Sequence, residues 1–149
     1  MTSEARHVVE LVVRLEAPPH EVFPPFVDPE RYVRWQGVRA ELDPRPGGLF
    51  RVWMAPDSVA RGEYVAVEPP DRVVFTWGWE GNAELPPGST TVELTLRADG
   101  EDTVLTLRHT GLPDGGAAMM HREGWTSFLG RLQMLVHGDD PGEMPAGRS

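Results

Sequence analysis

The segment Ala117–His137 constrains this chain more than any other. Read at helical spacing, it places His121, Gly124, Trp125, Phe128, Leu129, Leu132, Leu135 and Val136 on one broad face. That is the i, i+3, i+4, i+7 recurrence of a helix packed along one side. Asp114 is positioned to cap its start, and Gly138 follows the last apolar residue as a stop. A helix so apolar on one side needs a surface to cover it. Apart from one early stretch, everything before it reads as short alternating strands broken by Pro and Gly, so the cover is a sheet.

At 149 residues the chain is long enough for one full core, expected over residues 1–138. Residues 139–149, DDPGEMPAGRS, have nothing to bury and read as a disordered tail. With no cysteine, disulfides, thiolate metal sites and a Cys nucleophile are excluded. No apolar run approaches the roughly 18 residues of a membrane span, and no leader pattern opens the chain, so the cytoplasm is the expected location. The net charge is −9, with every basic residue an Arg and no local basic stripe. Such a surface repels phosphate backbones, which argues against nucleic acid as a partner.

Along the chain, residues 7–15 alternate as a half-buried strand, with His7, Val9, Leu11, Val13 and Leu15 on one side. His20–Phe26 is briefly helical until Pro24-Pro25 breaks it, and Asp28-Pro29 opens a second short helix, Glu30–Trp35, ending near Gly37. Strands then follow at Leu49–Met54, Ala60–Val67, Arg72–Trp79, Thr90–Arg97 and Thr103–His109, each introduced by Pro, Gly or Asp. Phe50/Val52/Met54, Val73/Phe75/Trp77/Trp79, Val92/Leu94/Leu96 and Leu105/Leu107/His109 each fall on one face. The result is a one-sided antiparallel sheet. The fold class is α+β: a curved antiparallel sheet around a long C-terminal helix, with two short helices after strand 1.

The elements PPHEVF…DPERYVRW, PGGLFRVWM, GEYVAVEPPDRVVFTWGW, STTVELTL, DTVLTLRHTGL and GWTSFLGRLQMLV occur in this order over residues 7–137. Together they resemble the activator-of-heat-shock-protein-ATPase homologue (AHSA-type) family of the SRPBCC superfamily, the START-like helix-grip domains. Pro24-Pro25 departs from that family, whose first helix usually continues there. The resemblance implies a cavity between sheet and helix.

Several side chains are candidates to line such a cavity. Trp53, Trp77, Trp79 and Trp125 come from strands and a helix that should converge, either as core or as walls for a ligand. Trp79 is the best placed for a pocket, at a strand end before a Gly- and Pro-containing loop. His109 and His121 fall on inward faces, where each is either a hydrogen-bonded core residue or a weak candidate for proton transfer. Gly124 shares the inward face with His121 and Phe128. It leaves room for a ligand or else allows close packing against the helix backbone. Arg51 and Glu63 read as a solvated cross-strand pair. No spacing supports a metal site, a phosphate loop or a serine nucleophile, and no metal, nucleotide or flavin cofactor is expected.

Three functions follow in order. The first is binding of a small hydrophobic or aromatic molecule between sheet and C-terminal helix, at Trp53, Trp77, Trp79, His109, His121, Gly124, Trp125 and Phe128. The second is a cyclase- or aromatase-like enzyme acting on a polyketide-type substrate, as in some members of the superfamily. The third is a co-chaperone-like contact with a chaperone, which the family name suggests and no residue pattern supports.

Overall fold

The computed structural model describes residues 7–142. Strand β1 (His7–Leu15) is followed by helix α1 (Pro19–Val22), a single 3-10 turn at Pro24–Phe26 and helix α2 (Pro29–Tyr32). Six strands come next: β2 (Arg39–Leu42), β3 (Leu49–Ala55), β4 (Ser58–Glu68), β5 (Arg72–Trp77), β6 (Thr90–Asp99) and β7 (Asp102–Leu112). Helix α3 (Gly115–His137) closes the fold. The strands form one antiparallel sheet in the order β1-β7-β6-β5-β4-β3-β2, curved around α3.

Local chemistry explains the boundaries. The Asp114 carboxylate accepts the Ala117 N–H at 2.8 Å and caps α3, and Gly138 ends it at a φ of 97°, with its N–H returned to Met134 and Leu135. His121, Trp125, Leu129 and Leu132 form its buried stripe, with Leu135 and Val136 packed beside it. At α2, Asp28 takes the Glu30 N–H in the same way.

The two prolines after α1 turn a helix into a 3-10 turn, and this frees carbonyls. Trp35 Nε1 donates to Pro25 O and the Tyr64 hydroxyl to Phe26 O, each at 3.0 Å. The break in the first helix is thus pinned to the core. Above it, Phe50 and Phe75 stack at 4.0 Å between ring centres, and Tyr32 and Tyr64 each meet Phe50 edge-on.

The structure departs from the sequence reading in several places, one of them the end of strand β5, which stops at Trp77 and not at Trp79. Strand β2 was not anticipated, because RAEL has no alternation of its own; it exists by pairing with β3. Helix α2 stops at Tyr32, not Trp35. His7 is exposed, since a bulge between His7 and Val9 turns it out of phase with the rest of β1. Arg51 lies opposite Arg61, and Glu63 opposite Leu49, so Arg51 and Glu63 do not pair. Glu80 instead reaches Arg51 at 2.7 Å and Arg61 at 3.3 Å, which separates two like charges, and Arg51 holds the Glu80 carboxyl below its usual range. Of the expected tail, residues 139–142 are described, and Arg131 donates to Pro141 O and Gly142 O; residues 143–149 lie outside the described part.

Candidate functional site

The last residue of β5 begins the site. Trp77 points from the sheet toward α3 and is 2% exposed. Gly78 follows, and a side chain there would sit 1.8 Å from Pro86 O. That close approach lets the segment 78–89 fold back and set Trp79 beside the N-terminal half of α3. From β7 comes His109, and from α3 come His121 and Trp125, one turn apart. Trp77 lies 5.1 Å from Trp125, 5.4 Å from Trp79 and 5.9 Å from His109, while the two imidazoles lie 5.1 Å apart and edge-on. Rings at these separations are in contact, so this part of the interior is packed.

The hydrogen bonds fix both tautomers. Trp125 Nε1–H donates to His109 Nδ1 at 3.0 Å, so His109 carries its proton on Nε2 and donates it to Thr90 Oγ1 at 2.8 Å. The Thr90 hydroxyl then donates to Trp77 O at 2.7 Å. In parallel, Trp79 Nε1–H donates to His121 Nε2 at 3.1 Å, and His121 Nδ1–H donates to Ala117 O at 2.7 Å. Each imidazole accepts from one indole and donates onward, so each is neutral. Burial, reinforced by His121, pushes the His109 pKa down to about 3, and burial lowers that of His121 as well.

One polar atom in the cluster is left over. Trp77 Nε1 is buried and has no hydrogen-bond acceptor among the described residues. A buried donor without a partner costs about 1–3 kcal/mol.

Of the residues expected to converge, Trp77, Trp79, His109, His121 and Trp125 meet, and Phe128 lies half-buried further along α3. Trp53 does not join them. Phe50, Val52 and Met54 face the core, and strand alternation therefore sends Trp53 to the opposite face. There its ring is covered by the guanidiniums of Arg39 at 4.5 Å and Arg51 at 4.4 Å. Thr90 was not anticipated: nothing in its local sequence marks it, and only the pairing of Trp77 with Thr90 across β5 and β6 brings its hydroxyl to His109. Among the described residues, no group of three or more His, Asp or Glu is placed to hold a metal ion.

Gly124 has open space before it. A methyl group added there would meet only Phe128 Cε2, at 4.0 Å, which is ordinary contact. Close packing against the helix backbone is therefore not the reason for this glycine. Gly124→Ala is expected to stabilise the fold by about 0.5–1 kcal/mol, the usual gain for Gly→Ala inside a helix. A thermal melt should show a rise of about 1–4 °C, and a fall would mean that the helix needs the glycine for another reason.

Comparison with known proteins places this geometry. The AHSA1-like protein RHE_CH02687 of Rhizobium etli is 42% identical, with a TM-score of 0.76, over 97% of this chain and 91% of that one. DynU16, from the dynemicin biosynthetic locus, is 29% identical with a TM-score of 0.78, over 90% of this chain and 49% of that one. The uncharacterized protein C1711.08 of Schizosaccharomyces pombe is 30% identical over 105 residues, 67% of this chain. This chain spans only 28% of that curated relative's length. No helix among the described residues is long and apolar enough to cross a membrane. The model of the Activator of Hsp90 ATPase homolog 1-like proteins matches residues 16–137, and the chain belongs to that family.

Proposed function

We propose that this protein binds a small, flat, apolar or aromatic molecule between α3 and the sheet, beside Trp77. The observation that carries the reading is the Trp77 indole N–H, buried among aromatic rings with no acceptor among the described residues. A ligand bearing a carbonyl or ether oxygen would satisfy that donor and stack on the same rings. The rings are packed in the free protein and part to admit it past Trp79, whose side chain is half-buried and carried by the segment 78–89, with the space at Gly124 alongside. The likeness to a protein of a biosynthetic locus also favours a small molecule as partner.

An acid–base role gains less support. Both nitrogens of His109 and of His121 are engaged, so neither imidazole has a free site while Trp79 stays in place.

The test uses a pair of ligands matched in shape. Titration with 2-acetylnaphthalene and with 2-ethylnaphthalene, followed by Trp emission, is expected to saturate for both. The ketone should bind about three- to tenfold tighter, although it is the more hydrophilic of the two. Equal affinity would remove Trp77 as the donor. No saturable response to either would remove the binding reading. Turnover of the ketone that is lost in His121→Ala would replace binding with catalysis.

A further inference from the structure

A cleft lies at the other end of α3 from the Trp77 cluster. Its volume is about 250 Å³, and it opens between the β1–α1 junction, the 3-10 turn, α2 and the last turns of α3. Ala17 and Pro25, both buried, and Leu135 and Val136, half-buried, give it an apolar floor. Arg31, Arg34 and Glu21 stand exposed at its rim.

The arginines at that rim are loosely held. The net charge is −9, and Arg14, Arg39, Arg45, Arg51, Arg61, Arg72 and Arg108 each sit within ion-pair distance of a carboxylate. Arg34, like Arg97 and Arg122, has no such partner among the described residues. Arg31 has only Asp28, at 3.6 Å and well exposed, a pairing too weak to hold it from a better one. Glu21 has its own neighbour in His20, at 3.8 Å. The backbone at Arg34 is tied to α3, because Arg131 donates to Arg34 O at 3.3 Å. Among the lining residues, two guanidiniums stand with the single carboxylate of Glu21 over an apolar floor, and that set suits one kind of guest.

We propose that this cleft binds a short apolar molecule ending in an oxyanion, either a carboxylate or a phosphate. The head group lies between Arg31 and Arg34, whose planar forks accept either anion through paired N–H bonds. The tail lies over Leu135 and Val136. The opposite orientation is disfavoured, because the last carbonyls of α3 present the negative end of the helix dipole to that side. The volume is just under the roughly 300–1,000 Å³ of sites for drug-sized ligands, which limits the guest to a short chain or a single ring. This site is independent of the one beside Trp77.

The experiment follows the methyl resonances of Ala17, Leu135 and Val136 in the full chain. Octanoate, octyl phosphate, octanol and octylammonium are titrated in turn. Both anions are expected to shift these methyls saturably, octanol about tenfold more weakly, and octylammonium not at all. The tighter of the two anions names the head group. Arg34→Gln should weaken anion binding about tenfold without moving the melting temperature, while Arg97→Gln, exposed on β6, should leave binding unchanged. Octanol binding as tightly as octanoate would overturn the proposal, as would an Arg34→Gln variant with unaltered affinity. If these methyls stay unmoved while the ring resonances of Trp79 and His121, recorded in the same titration, shift, the anion belongs to the aromatic interior and the cleft is removed as a site.

Discussion

Replacing His109 with Ala is expected to destabilise the fold by about 3–5 kcal/mol, among the largest effects of any single change here. The imidazole is fully buried, so its loss opens a cavity in a packed ring cluster. It also strands the Trp125 N–H, which loses its acceptor, and leaves Thr90 Oγ1 without its donor. Each orphaned group adds its own desolvation cost. Thermal melts should show a fall of about 6–20 °C for a chain of this size. His109→Gln should recover part of the loss, because an amide offers one acceptor and one donor to the same neighbours. His7→Ala, at the exposed start of β1, should change little. A loss below about 1 kcal/mol for His109→Ala would mean that Trp125 and Thr90 find new partners at no cost.

Lowering the pH from 7 to 5 is expected to remove about 2 kcal/mol of stability through His109 alone. The folded state keeps this imidazole neutral down to about pH 3, whereas the unfolded chain protonates it near the ordinary value of 6.5. A depressed histidine therefore contributes stability that is fully present above pH 6.5. That stability is lost as the unfolded chain takes up the proton between pH 6.5 and 3. His121, lowered by burial, acts in the same direction. The carboxyls of Glu80 and Asp99 are held below their ordinary values by Arg51 and Arg14, so their contributions are lost only at lower pH. Urea unfolding at pH 7, 6 and 5 should show the decline. In His109→Gln the slope should fall to what His121 supplies, and an unchanged slope would assign the acid sensitivity elsewhere.

How far the site could be read from sequence depends on whether a feature is local. Helix α3 was legible because its cap, its stop and its apolar stripe all lie within one stretch. Strands β3 to β7 were legible because Pro, Gly and Asp punctuate them and their faces alternate. Strand β2 was not, because its four residues take their conformation from β3. The orientation of Trp53 was in fact available, since Phe50, Val52 and Met54 on one face require Trp53 on the other. The convergence of Trp77, His109, His121 and Trp125 followed from parity and helical spacing, whereas Trp79 reaches them through the fold-back after Gly78. Their hydrogen bonds did not, because the roles of Thr90 and Ala117 depend on register and on ring orientation. The orphaned Trp77 N–H is a property of the whole neighbourhood, and no local pattern announces it.

The order of the strands in the sheet has a consequence for synthesis of the chain. From β2 to β7 every strand pairs with the next one made, so each hairpin can close as soon as it leaves the ribosome. Strand β1 is different: Arg14 meets Asp102, 88 residues later, and none of β1 has its partner until β7 begins to be made. Until then β1 is an unpaired strand rich in valine, and even in the finished fold Val12 remains 61% exposed along it. Closing so long a loop is entropically costly and comes late. A nascent chain therefore carries an unpaired, valine-rich strand until β7 is made, and in that interval both edges of β1 are open to pairing with another chain.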